Sequence, residues 1–169
     1  MRVLAIDPGY GRCGVAIVER NGAKDVLIYS DCIETSAEDG FATRLRQVVL
    51  ACETLVSAHA PDCIAMEKLF FAKNQKTAMR VAEVRGAILS LAGSTAIPVF
   101  EYSPGEVKSA AAGSGSADKT QVAKMLHALV KIGKVIKRDD EYDAIAIGVT
   151  HLALARSTAA RRKAQKTVL

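Results

Sequence analysis

No apolar run in these 169 residues is long enough to cross a bilayer. The first apolar run, Arg2-Val3-Leu4-Ala5-Ile6, is cut by Asp7 before it reaches the length of a signal-peptide core. Cys-x-x-Cys spacing is absent. Cys13, Cys32, Cys52 and Cys63 lie scattered inside apolar runs, which reads as buried, reduced thiols. Together these absences exclude a membrane protein and a disulfide-stapled secreted domain, and they predict a cytoplasmic location. There is no internal repeat and no His/Cys cluster of zinc-ligand spacing, because His59, His127 and His151 stand alone. Acidic residues are missing from Arg156 onward, where five basic residues occur. That small, basic end predicts a disordered tail over 158–169, behind a single domain over 1–157.

What is present is an ordinary composition, half hydrophobic and about a quarter charged, with a net charge of +5. The basic surplus is uneven. Between Lys119 and Arg138 lie six basic residues, bordered by only Asp118 and Asp139. Such a distribution suits a polyanionic partner, and equally a solvated lysine face.

The pattern of periods predicts an α/β fold. Residues 2–7, 12–19 and 25–34 read as strands, with turn residues Pro8, Gly9, Asn21 and Gly22 between them. Phe41, Leu45, Val48, Cys52 and Leu55 then mark one face of a helix that ends near His59. A short strand over 62–66 leads to Glu67. A helix over 74–92, a strand over 97–102 and a short helix capped by Ser103 with Pro104 at its first position follow. Helices over 117–130 and 139–156 complete a five-stranded mixed sheet whose first three strands are antiparallel.

Four carboxylates occupy the ends of these elements. Asp7 and Glu67 follow strands, and Asp140 and Asp143 open the last helix. Carboxylates beside apolar segments need compensation, and converging ones repel unless a cation neutralises them. Hard oxygen ligands suit Mg²⁺ or Mn²⁺. Two such ions about 3.5–4 Å apart activate water and stabilise the leaving oxygen of a phosphodiester. Asp140 and Asp143 alone fit helix capping equally well. Asp7-Pro8-Gly9 alone fits the phosphate hairpin of actin-like ATPases, although that architecture needs two such domains. The loop after Glu67 carries Phe70, Phe71, Lys73 and Asn74, a composition able to stack on a base or wedge a junction. Lys108 and Lys119 flank a Gly-Ser stretch and can pair with phosphates. His151 lies two helical turns beyond Asp143; it is either packed or close to the site.

These motifs together resemble RuvC, the Holliday-junction endonuclease family of bacteria. The resemblance rests on Ile6-Asp7-Pro8-Gly9, on Met66-Glu67 with Phe70-Phe71-Ala72-Lys73-Asn74, and on Pro98-Val99-Phe100-Glu101-Tyr102. It continues through Val107-Lys108, the run from Gly113 to Lys119, and Asp140-Glu141-Tyr142-Asp143-Ala144 with Thr150-His151. It implies a ribonuclease-H-like fold and a homodimer with two Mg²⁺ ions per subunit, Mn²⁺ able to substitute. It implies symmetric paired nicks in four-way DNA junctions during recombination and repair, working with a branch-migration complex of RuvA and RuvB type. By motif position it assigns catalysis and metal binding to Asp7, Glu67, Asp140 and Asp143. DNA contacts fall to Phe70, Lys73, Asn74, Lys108 and Lys119. It also places the helix around Ala78 to Ala92 at or near the dimer interface. Asp139 and Glu141 leave the middle ligand open on the residues alone; the match through Asp143-Ala144 selects Asp140. One departure is Gly14-Val15, where many members have Gly before a large aromatic. The related RuvX group, acting on RNA or other structured nucleic acid, is the alternative; it usually has Phe where Pro8 stands.

Overall fold

A computed structural model of the protein describes residues 1–22, 24–69 and 75–167, with side chains over 1–22, 24–69 and 76–155. The chain runs β1 (Arg2–Asp7), β2 (Arg12–Asn21), β3 (Lys24–Glu34), α1 (Phe41–His59), β4 (Cys63–Glu67), α2 (Gln75–Thr95), β5 (Val99–Tyr102), α3 (Pro104–Ala112), α4 (Lys119–Leu129), β6 (Val130–Lys131) and α5 (Asp139–Thr167). The sheet order is β5-β4-β1-β2-β3-β6. The β1–β2 and β2–β3 pairs are antiparallel, whereas β4 pairs parallel with both β1 and β5. This is the mixed-sheet, ribonuclease-H-like arrangement that the resemblance implies.

Three expectations change. The sheet has six strands among the described residues, not five. Val130, expected to close a helix, leaves helical geometry at φ −120° and pairs with Asp25 beside β3. Its buried, β-branched side chain fits that edge. The last helix also runs further than the expected end near Arg156, its backbone staying helical to Thr167. Ala159, Ala160, Arg161, Arg162, Lys163, Ala164 and Gln165 are all good helix formers, and no Gly or Pro interrupts them. Finally, α4 starts at Lys119, later than expected, because Asp118 caps it: its side chain accepts from Gln121 N while Gln121 returns a bond to the cap. Ser103 caps α3 as expected, through the same reciprocal arrangement with Glu106.

Strand alternation divides the core in two. Leu4, Ile6, Ile64 and Met66 face α1 and α2. Val3, Ala5, Cys63 and Ala65 face α3, α4 and α5. The parity continues to the strand ends. Asp7 follows Val3 and Ala5, and Glu67 follows Cys63 and Ala65, so both carboxylates belong to the α5 side. Parallel pairing of Ile6 with Met66 brings the two ends side by side. Glycines let α5 lie close against β2: a Cβ on Gly14 would stand 1.9 Å from the Asp140 carbonyl oxygen. The four cysteines are free, with Cys13, Cys52 and Cys63 buried and Cys32 half-buried. Among the described residues, no helix is long and apolar enough to cross a membrane.

Candidate active site

Asp7 stands half-buried among like charges. Burial raises its pKa first, and the charges of Asp143, Glu67 and Asp140 raise it further, to about 7. Lys119 opposes that shift. Glu67 is raised by burial and by Asp143, against the lowering influence of Lys108 and Arg85. Asp143 is raised by burial, while Lys119 pulls it back down. All four sequence-predicted carboxylates therefore occupy one electrostatic neighbourhood.

Side-chain cations hold two of the four apart. Lys119 Nζ lies 3.5 Å from both Asp143 Oδ2 and Asp139 Oδ2. Arg12 Nε lies 3.5 Å from Asp140 Oδ2, close enough for an ion pair but not aligned for a hydrogen bond. Asp140 Oδ2 is consequently a buried oxygen without a hydrogen-bond partner among the described residues. No three His, Cys, Asp or Glu side chains among those residues are already gathered around one ion position. The donor chemistry nevertheless fits a divalent cation: hard carboxylate oxygens, mutual repulsion, and one orphaned acceptor.

The neighbours of Asp140 are occupied differently. Asp139 is 76% exposed and pairs with Lys119. Glu141 is buried and turned into the fold, accepting from Ser30 Oγ at 2.9 Å and Lys134 Nζ at 2.8 Å. Burial raises the Glu141 pKa, but the bonds from Lys134 and Ser30 outweigh it and hold the carboxylate below its usual range. Glu141→Gln should lower stability by about 2 kcal/mol by removing a charge-assisted pair. Urea unfolding at pH 7 measures this, and an unchanged midpoint would remove Glu141 from the scaffold.

The carboxylates stand where three clefts meet. A cavity of 420 Å³ is lined by Glu67, Asp143, Lys108 and Lys119. A smaller one of 210 Å³ holds Asp7, Glu67 and Arg85. Asp140 lines a third, with Arg12 and Arg44. Thus Lys108 and Lys119 line the same cavity as Glu67 and Asp143. Phe70, Lys73 and Asn74 lie outside the described residues. His151 is packed away from the carboxylates, bonded to Tyr102 Oη at 2.7 Å and 3.3 Å from Cys63 Sγ.

Sequence reasoning missed Arg12 and Arg85. Arg85 is buried in α2 and donates to the Glu67 carbonyl and to the Glu101 carboxylate. It therefore fastens the end of β4 from behind. Its signal was available: a lone arginine within the apolar stripe Ala78, Ile88, Ala92 of a helix needs buried acceptors. Arg12 gave no such signal, being an exposed residue at a strand start.

The model of the crossover junction endodeoxyribonuclease RuvC family matches residues 3–151. The RuvC enzyme of Moorella thermoacetica is 42% identical over 156 residues, covering 92% of this chain and 93% of its own. T. thermophilus RuvC, solved with a Holliday junction substrate, shares the fold with a TM-score of 0.87 and 30% identity, over 94% of this chain and 96% of that one. The yeast mitochondrial Holliday junction resolvase Ydc2 has a TM-score of 0.75 at 18% identity, over 99% of this chain and 84% of that one, a likeness of fold alone.

Proposed function

The chain belongs to the RuvC family of crossover junction endodeoxyribonucleases, and from that premise we propose how its residues carry out the reaction. As a family member it is a metal-dependent nuclease that resolves Holliday junctions in DNA recombination. Asp7, Glu67, Asp140 and Asp143 would form the ligand set for two Mg²⁺ ions, with Mn²⁺ able to replace them. The observation that carries this assignment is the convergence of three carboxylate charges on half-buried Asp7, with Asp140 Oδ2, which has no hydrogen-bond partner among the described residues, beside them. When bound, such ions supply Lewis-acid stabilisation of the phosphodiester and lower the pKa of water. Asp7, at the end of a central strand, would be a ligand at the middle of that set. Glu67, fastened by Arg85, and Asp140 and Asp143, fixed on one helical turn, hold their oxygens in place around it.

Lys108 and Lys119 bind the phosphates that flank the cut, with Phe70, Lys73 and Asn74 meeting DNA near the crossover. Lys119→Ala is expected to reduce the slope of log affinity against log salt by about 0.9, one phosphate's share. A filter-binding series between low and moderate salt measures it; an unaltered slope would leave Lys119 as a carboxylate partner only.

Residues 1–157 make one nuclease domain, with the basic stretch 158–169 beyond it. The enzyme works as a homodimer in the cytoplasm, because paired nicks need two sites at a fixed spacing. Support comes from α2, whose outer face exposes Met79, Gly86 and Leu89, an apolar stripe at helical spacing. A branch-migration complex of RuvA and RuvB type delivers the junction. The deciding experiment compares Mg²⁺-dependent cleavage of a four-way junction, a linear duplex and a structured RNA. Preferential nicking of the junction in opposed strands is expected, and equal cleavage of the three substrates would sink the assignment.

A further inference from the structure

On the side of α5 away from Lys108 and Lys119, a groove leads outward from Asp140. Its inner part, of 440 Å³, is lined by Arg12, Tyr10, Arg44 and Asp140. Its outer part, of 630 Å³, shares Tyr10, Arg44 and Thr77 and adds Phe41, Lys76 and Arg80. The two parts make one path. Four cations line it against two carboxylates, Asp140 and Glu83.

Two of these cations are held on aromatic faces. The Arg44 guanidinium lies 4.7 Å from the Tyr10 ring centroid, and that of Arg80 lies 3.9 Å from the Phe41 centroid. The rings themselves meet edge to face at 6.0 Å. Arg44 Nε also donates to Thr35 Oγ1 at 2.8 Å, and that hydroxyl donates to the Tyr10 carbonyl at 2.5 Å. Its terminal amino groups donate to nothing among the described residues. A guanidinium locked by a ring beneath it and a hydroxyl at its side is preorganised, so it binds an anion with little further loss of freedom. Arg80 is half exposed and gives one bond to Glu83 Oε2 at 3.0 Å. Structural clamping alone accounts for the stacking. It does not account for an open cationic path that ends at an active-site carboxylate.

We propose that this groove is a second phosphodiester-binding track, in which Arg44 and Arg80 take backbone phosphates of the DNA strand on the opposite side of the carboxylates from Lys108 and Lys119. The first turn of α5 divides the tracks: Asp139 and Asp143 line one cavity and Asp140 the other. A strand crossing the carboxylates is thereby held on both sides of the reacting bond, which fixes its direction as well as its position. The track rests on the nuclease reading given above. An acidic protein segment is the competing occupant, and the test separates the two.

The test uses the full chain carrying Asp7→Asn, which leaves the DNA uncut. Affinity for a four-way junction is measured against salt, and phosphate contacts are mapped by ethylation interference. Arg44→Ala with Arg80→Ala should reduce the salt slope by about 1.8, two phosphates' worth. It should also erase interference on one side of the cut while leaving the Lys108 and Lys119 side intact. Arg80→Ala alone, which removes the Phe41 stack and the Glu83 bond, should lose about half of that slope, and it keeps the test valid if the Arg44 change unfolds the chain. An unchanged slope and footprint in a folded variant would overturn the track and leave the groove to a protein partner. Equal binding of junction and linear duplex by the parent protein would instead count against junction recognition, while the slope change would still report on the track.

Discussion

Asp7→Asn should reduce junction cleavage by about 10³-fold or more while leaving junction binding in place. The substitution keeps the shape of the side chain and removes the charge that the proposed mechanism sets against the reacting phosphate and its ions, an effect on the order of 4 kcal/mol in the barrier. The same change should stabilise the metal-free protein at neutral pH. Asp7 has its folded pKa raised to about 7, whereas an ordinary Asp sits at 3.8. The unfolded chain therefore releases this proton before the folded one does. Stability falls as pH rises between those two values, by at most about 4 kcal/mol. Raised values at Glu67 and Asp143 act in the same direction. Thermal unfolding in chelator at pH 5 and pH 8 checks the sign: the Asn variant should be the more stable protein at pH 8, and the gap should narrow at pH 5. Added Mg²⁺ should rescue the native chain at pH 8 and the variant far less. Equal cleavage, or a variant less stable than its parent at pH 8, would show that Asp7 is not the crowded centre of the charges.

Gly14→Ala should cost more activity than stability. The new Cβ would lie 1.9 Å from the Asp140 carbonyl oxygen and 2.6 Å from its carbon. Both are backbone atoms, so no flexible side-chain end can swing aside. Ordinary contact begins near 3.4 Å, and α5 must retreat by more than an ångström at the turn that carries Asp140 and Asp143. Overpacking of this kind costs about 1–3 kcal/mol of stability. A displacement of that size at a reacting centre costs roughly 10²-fold in rate. Gly148→Ala is the control. Its Cβ would meet Val18 Cγ2 at 2.8 Å, further along the same helix, and should cost stability without a comparable loss of cleavage. Single-turnover cleavage beside urea unfolding separates the two outcomes; similar rate losses in both variants would mean that Gly14 serves packing alone.

Local pattern made much of the fold readable. The short unbroken apolar run of β1 marks a strand buried on both faces, the spacing along α1 states which side is apolar, and Ser103-Pro104 announces a helix start that the Glu106 bond completes. The carboxylates were readable for a related reason: each ends or begins an apolar run, where charge stands out. What stayed hidden depends on distant partners. Val130 and Lys131 form a strand only because Asp25 and Val26 lie beside them. Arg12 becomes part of the site only when α5 brings Asp140 within 3.5 Å. The need for glycine at position 14 comes from a carbonyl 126 residues away, which no window along the chain contains.

The parity that sends Asp7 and Glu67 to the α5 side makes chain length, more than side-chain choice, the quantity these strands must conserve. Conservative exchanges among Val3, Ala5, Cys63 and Ala65 alter packing and leave the carboxylates where they are. One residue inserted between Cys63 and Glu67 would turn that carboxylate into the layer of Ile64 and Met66, against α1 and α2. Two residues would restore the side but carry Glu67 about 6.6 Å beyond the end of β1. Between their first apolar residue and their carboxylate, β1 and β4 therefore tolerate substitution far better than insertion or deletion.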